Sequence, residues 1–144
     1  MKPLLYILTL FLIVSCSSDD IIKNPYLPDY KFNTNNFIDT RLPQYNKLQL
    51  PGNYVILEGY GINGVVLFYA GGDIYNAFEL SDPNHALSTC SKLTIDGIIA
   101  SCTCNDDNSY DILTGNMAEG TTGQYPLLRY NVEVSGYIIR VYNN

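Results

Sequence analysis

Apolar residues at every second position constrain this chain more than any other feature. Leu128, Tyr130, Val132 and Val134 alternate with Arg129, Asn131 and Glu133, the pattern of a strand with one face on a core and the other in water. Ser135-Gly136 supplies a tight turn into Tyr137, Ile139 and Val141, so the C-terminus reads as a β-hairpin. Upstream, Tyr54–Leu57, Val65–Tyr69 and Ile74–Leu80 are short β-branched or aromatic runs parted by glycine-rich turns at 61–64 and 71–73. Leu93–Ile95 and Ile98–Ala100 flank Asp96-Gly97, a two-residue hairpin signal. No 3.6-residue apolar pattern is sustained, and Pro43 and Pro51 interrupt the weak candidate. The expectation is one all-β domain over residues 37–144, an antiparallel sandwich or barrel.

The N-terminus is of another kind. Lys2 and the amino terminus form a positive start, and Leu4–Val14 is an apolar run of eleven residues broken by Thr9. That is too short to span about 30 Å of hydrocarbon, and it reads as a signal peptide over residues 1–15. Ile13-Val14-Ser15-Cys16 resembles a bacterial lipobox, which makes Cys16 the expected lipidation site and the start of the mature chain. Residues 16–36 follow as a polar tether rich in Asn, Pro, Asp and Tyr. Ser17 after the cysteine suits outer-membrane sorting, and Asp19-Asp20 resembles a surface-export signal. The expected location is the outer membrane of a Gram-negative envelope, with the leaflet open and the lipid as the membrane contact.

Charge removes one class of partner. With 8 Lys+Arg against 14 Asp+Glu, a net charge of -6, no surface can neutralise a run of phosphates, so no nucleic acid is expected. Three motif-like stretches have plain readings. Gly59–Gly64 spells G-x-G-x-x-G but precedes a strand rather than a helix. Asp106–Asp111 begins like a calcium loop but lacks its glycine and glutamate. Ser81, Asp82 and His85 share one short segment without a nucleophile-elbow pattern. No catalytic residues are assigned, and an enzyme is not expected.

Two loops carry the chemistry. Loop one, Ser81–Ser91, holds Asp82, Pro83, Asn84, His85 and Cys90; loop two, Ser101–Ser109, holds Cys102, Cys104, Asn105, Asp106 and Asp107. They flank the Asp96-Gly97 hairpin, so pairing of its strands brings both to one end. From Tyr54 to Asn143 the sequence resembles the Rieske iron-sulfur family. The run Gly97–Cys104 resembles that family's approach to loop two, Ser109–Gly115 its exit, and Tyr125–Tyr130 the lead into the closing hairpin. The resemblance implies a Rieske-like antiparallel β fold with two hairpin loops forming a cluster-type subdomain.

The departures from that family decide what the loops can hold. A Rieske centre takes two thiolates on one iron and two imidazoles on the other. Asp82-Pro83-Asn84 stands at the Cys-x-His position of loop one, and Asn105 stands where loop two carries histidine; Cys102 alone matches a ligand. His85, the single histidine, is one residue out of register. An ordinary cluster therefore cannot assemble, and no cofactor is expected. Once Cys16 is lipidated, three cysteines remain, giving one disulfide and one thiol in an oxidising envelope. Cys102 and Cys104 are too close to pair easily, so Cys90 is one partner, with either of them as its mate. The resemblance implies Cys104.

The function expected is a membrane-anchored lipoprotein with a disulfide-stapled, Rieske-like domain in a structural or recognition role, with a protein or surface glycan as partner. The thirteen tyrosines suit recognition only where they form an exposed patch. The alternative is an atypical iron-sulfur or single-metal electron-transfer or redox protein, with Asp82, His85, Cys102 and Asn105 as its ligands.

Overall fold

The computed structural model describes residues 23–144. The expected leader at 1–15, the lipid site at Cys16 and the first residues of the tether lie outside the described residues. Ten strands follow one another: β1 (Phe32–Asn33), β2 (Ile38–Asp39), β3 (Tyr54–Leu57), β4 (Val65–Gly71), β5 (Ile74–Glu79), β6 (Thr94–Asp96), β7 (Ile99–Ser101), β8 (Ser109–Asp111), β9 (Arg129–Ser135) and β10 (Ile138–Asn143). A 3-10 turn at Asn46–Gln49 is the sole helical element among the described residues. The expectation of an all-β antiparallel fold is met.

The main sheet runs β1-β10-β9-β5-β4-β3, with β2 also paired to β10. Strand β9 joins its halves: Tyr130 and Arg129 pair with Ala77 and Phe78 of β5, while residues 131–135 pair with β10. β6, β7 and β8 form a separate three-stranded sheet. Inserted between β5 and β9, this small sheet is the platform from which both loops leave.

Strands β4 and β5 are covered on both faces, which explains why Val65–Phe68 is an unbroken buried run. Val65, Leu67 and Ala77 face one core with Ile38, Leu48, Val55, Leu57, Tyr130, Ile139 and Val141. Val66, Phe68 and Phe78 face the other, with Leu80, Leu93, Ala100, Tyr110, Ile112 and Leu127 of the small sheet and its connections. A one-residue slip of β4 would exchange the two sets. Burying the second face locks the loop platform to the main sheet.

Three expectations change in detail. Both tight turns lie one residue later than expected: Asp96 pairs with Ile99 and Ser135 with Ile138, so the turns are Gly97-Ile98 and Gly136-Tyr137. In each, the glycine alone has positive φ, 60° and 59°, the requirement of a turn with glycine at its first central position. Burial along β9 also fades: Tyr130 is buried, Val132 is half-buried and Val134 is 40% exposed, because the hairpin tip runs beyond the core. The tether expected up to residue 36 ends earlier. Leu27 is buried, Asn24 Nδ2 donates to Pro83 O at 2.8 Å, and Phe32 packs edge-on against Tyr130 with ring centroids 4.8 Å apart. These anchors are too sparse to produce a period, which is why the segment reads as linker.

Candidate functional site

Loop one leaves β5 over a buried carboxylate. Glu79 is fully buried and is held by four donors: the amides of Ile62 and Asn63, the Ser81 hydroxyl and the Tyr130 hydroxyl, all within 2.7–2.8 Å. The Gly59–Gly64 stretch is thus a loop between strands, as expected, and its amides grip an acid rather than a phosphate. Ser81 Oγ also accepts from Asn63 Nδ2, so this hydroxyl is committed to the fold. Burial, and then the neighbouring Glu79 carboxylate, holds the Tyr130 phenol above its ordinary range.

Asp82 and Asn84, the residues at the first ligand position, are bound into the protein. Asp82 is fully buried. Its Oδ1 accepts from the Asn84 amide at 2.8 Å and the Tyr110 hydroxyl at 2.7 Å, and its Oδ2 accepts from Asn108 Nδ2 at 3.1 Å. Asn84 donates through Nδ2 to Tyr110 Oη and Tyr125 O, while its Oδ1 accepts from the amides of Gln124 and Tyr125. The side chain therefore stitches loop one to the segment between β8 and β9. Tyr110, buried and donating to a carboxylate, is held above the ordinary phenol range, burial being the larger cause.

Loop two closes against loop one. Cys90 and Cys104 form a disulfide with Cα atoms 5.0 Å apart, within the span such a bond requires. Thr103 Oγ1 donates to Cys90 O at 2.9 Å, and the Asp82 amide donates to Ser91 O at 2.9 Å. Among the described residues Cys102 is the one free cysteine, half-buried beneath the loop tips. Burial, with the Asp82 and Asp106 carboxylates beside it, pushes its thiol up to about 12 against the opposing pull of the Cys104 amide. It is a protonated thiol at neutral pH.

The single histidine sits where the loops meet. His85 Nε2 lies 3.2 Å from Cys102 Sγ, 3.3 Å from Asp106 Oδ2 and 3.5 Å from Asp82 Oδ2. Its Nδ1 lies 2.8 Å from Ala86 O. A carbonyl only accepts, so Nδ1 carries a proton, and in the neutral ring Nε2 bears the lone pair. Of the four residues proposed from sequence as ligands, Asp82, His85 and Cys102 are brought together. Asn105 is exposed with φ 61°, and its neighbour Asp106 turns toward the histidine in its place. An Asx-type bond from the Asn108 amide to Asp106 Oδ1 at 3.2 Å holds that orientation. Sequence reasoning missed Asp106, Asn108 and Tyr110 as parts of this site. Tyr110 lies inside a short alternating strand and carries no local signal of a buried polar role.

Ser81, Asp82 and His85 form no triad, since Ser81 Oγ is bonded to Glu79 and His85 Nε2 faces the thiol and carboxylates. The Asp106–Asp111 stretch is the polar end of loop two running into β8, which its last residues, Ser109–Asp111, form. Asp111 Oδ1 accepts from the amides of Leu113 and Thr114.

No family model and no curated protein matches this chain. Among solved structures it is similar to a chain of the complex of reduced oxygenase and oxidized ferredoxin in carbazole 1,9a-dioxygenase. The identity there is 25% and the TM-score 0.44, covering 65% of this chain and 82% of that one. It is also similar to a protein described as the NADH-dependent nitrite reductase small subunit from Mycobacterium tuberculosis, with 18% identity and a TM-score of 0.45, covering 81% of this chain and 98% of that one. The architecture is Rieske-like in its own geometry: a curled antiparallel sheet carries a small three-stranded subdomain whose two loops meet at one end under a disulfide.

The residues present do not fit a [2Fe-2S] cluster of that family. The chain has one histidine, where two imidazoles are needed. Two of the three cysteines in the domain are bonded to each other. At the other positions stand Asn84, whose polar atoms are engaged inside the protein, and Asp82 and Asn105, which offer neither the thiolate nor the imidazole that such a cluster takes.

Proposed function

We propose that this is a lipid-anchored envelope protein whose Rieske-like domain presents a disulfide-closed loop pair as a structural or recognition surface, in place of an iron-sulfur centre. One observation carries the reading. Asn84, standing where the family places an imidazole, uses both amide hydrogens and its carbonyl oxygen to hold loop one against residues 110 and 124–125. A residue so engaged is part of a built surface rather than an emptied ligand position. The disulfide agrees with the oxidising compartment that the lipobox at Cys16 implies.

A non-enzymatic role agrees with Ser81 being sequestered by Glu79. The tyrosines serve mostly to cover the core: Tyr110 and Tyr130 are buried, Tyr69 and Tyr75 stack on one another, and Tyr26, Tyr30 and Tyr137 stand exposed. Recognition therefore rests with the loop end more than with a broad tyrosine face.

The test is a mass measurement on the full chain expressed with its own N-terminus and purified from the envelope without chelator or reductant. The expected species begins at Cys16, carries acyl chains, is two hydrogens short of the reduced mass, and contains no acid-labile sulfide. Iron with sulfide would overturn the cluster-free reading, and an unacylated chain would overturn the anchor.

A further inference from the structure

The two loops bring donors of three elements to one point, and we propose that Asp82, His85, Cys102 and Asp106 form a mononuclear site for a divalent ion of the zinc class. This deepens the cluster-free reading and rests on it, since the same residues could not also cage a [2Fe-2S] centre.

Geometry is the first argument. Around a tetrahedral zinc ion with Zn–N, Zn–O and Zn–S bonds of about 2.0–2.3 Å, neighbouring donor atoms sit roughly 3.3–3.6 Å apart. From His85 Nε2 the distances are 3.2 Å to Cys102 Sγ, 3.3 Å to Asp106 Oδ2 and 3.5 Å to Asp82 Oδ2. These three contacts lie near the spacing that a shared ion requires, and the donor atoms of His85, Cys102 and Asp106 all lie within 4.8 Å of one another.

The outer groups supply an independent argument. A metal-bound imidazole is usually fixed by donation from its other nitrogen to a carbonyl or carboxylate. His85 does this, donating through Nδ1 to Ala86 O at 2.8 Å and leaving Nε2 free to bind. Asp82 is likewise oriented, by Tyr110 and the Asn84 amide on Oδ1 and by Asn108 on Oδ2. Asp106 is oriented by the Asn108 amide on its other oxygen. His85 and Asp106 thus have the far atom tied down and the near atom turned inward, while Asp82 Oδ2, which accepts one hydrogen bond from Asn108, keeps its second lone pair for an ion.

Charge points the same way. Among the described residues Asp82 and Asp106 have no lysine or arginine partner; Lys92 pairs with Glu58, Arg41 with Asp39 and Arg140 with Glu133. Two carboxylates meet at one imidazole, and a divalent cation is the natural counter-charge. Binding exchanges the Cys102 S–H bond for a metal–sulfur bond and releases the proton to solvent. The resulting thiolate, one nitrogen and two oxygens suit a borderline ion such as Zn2+ or Co2+, whereas calcium and magnesium take oxygen shells of six or more. Cys104 Sγ lies within 4.8 Å of the donors of His85, Cys102 and Asp106, but it is bonded to Cys90 and supplies no thiolate. The side chains of His85 and Asp106 are each 25% exposed, which leaves an entry path.

The experiment is a titration of Co2+ into the full chain in detergent, oxidised and first stripped with chelator. The expected result is one equivalent bound, with a thiolate-to-cobalt charge-transfer band and the strong ligand-field absorption of four-coordinate cobalt, both abolished by excess Zn2+. Cys102→Ser should remove the charge-transfer band. His85→Ala and Asp106→Asn should each weaken binding by about 100-fold or more, beyond what loss of an outer partner usually does, and Asn105→Ala should leave it unchanged. A second readout needs no variant: X-ray absorption of the Zn2+-loaded chain should show one sulfur at about 2.3 Å with nitrogen and oxygen neighbours at about 2.0 Å. Absence of the band in the wild-type chain, its survival in Cys102→Ser, or a zinc spectrum without a sulfur neighbour would overturn the site. A chain that refuses Co2+ yet lacks iron and sulfide removes this site alone; iron and sulfide in the protein as isolated remove the cluster-free reading with it.

Discussion

Tyr110 donates its hydroxyl to Asp82 Oδ1 across 2.7 Å, and both residues are fully buried. The same hydroxyl accepts from Asn84, so one phenol on β8 serves both residues that stand at the first ligand position. Phenylalanine would leave the Asp82 carboxylate with only the Asn84 amide and Asn108 as donors. Tyr110→Phe is expected to lower the unfolding free energy by about 2 kcal/mol, the usual range for a hydrogen bond to a charged group. Urea unfolding should show a lower midpoint with an unchanged slope. A loss under about 0.5 kcal/mol would mean that the network does not depend on this phenol.

The Cys90–Cys104 bond closes a segment of 14 residues that contains β6 and β7. On the chain-entropy account, a loop of that length contributes about 3 kcal/mol by restricting the unfolded chain. Reduction should lower the melting temperature by roughly 10 °C for a domain of this size. The double variant Cys90→Ser, Cys104→Ser should melt at that lower temperature whether or not reductant is present. Equal melting of the oxidised and reduced wild-type chain would show that the platform, not the staple, holds the loops.

Glu79 receives four donors and no acceptor, an arrangement that only a carboxylate satisfies. Glu79→Gln would turn an amide group toward another donor inside a fully buried site. The expected cost is about 3 kcal/mol or more, because donors are left facing donors and more than one buried hydrogen bond is lost. Tyr130→Phe deletes one of the four donors and should cost about 2 kcal/mol. Thermal and urea unfolding of the two variants would check the order; a Gln variant milder than the Phe variant would contradict it.

Period-two alternation made the strands and the C-terminal hairpin legible, because a half-buried strand writes its faces directly into the sequence. The doubly covered strand β4 was legible only as an apolar run, since burial on both faces erases the alternation. Phe32 and Leu27 were not legible as domain residues, because single anchors in a polar stretch leave no period. The meeting of the two loops followed from the hairpin between them. The turn position did not, since Asp96-Gly97 also suits a turn with both residues at positive φ. At the site, His85 and Cys102 were visible from residue type. Asp106 rather than Asn105 is the inward residue because the backbone takes φ 61° at Asn105, a choice that depends on loop closure rather than local propensity. Glu79 had one weak signal, a charge inside the apolar run Ala77–Leu80.

The Asp39–Arg41 pair at the outer edge of β2 gives a pH dependence of known sign. Arg41 donates to both carboxylate oxygens of Asp39, at 2.9 Å and 2.6 Å, and its backbone amide donates to Oδ1 at 3.0 Å. The guanidinium first, and then that amide, lower the Asp39 carboxyl to about 2 from an ordinary value of 3.8. The folded value lies below the unfolded one, so the unfolded chain binds more protons in acid. The stabilisation is therefore full above about pH 4 and is lost as pH falls through about 2. Because Arg41 is solvent-exposed, molar salt should weaken it. The Asp39 carboxyl signal, followed by NMR, should titrate near 2 in the native chain. In Arg41→Ala it should move part of the way back toward 3.8, since the backbone amide of residue 41 still donates. An unmoved midpoint would show that the amide alone depresses this carboxyl.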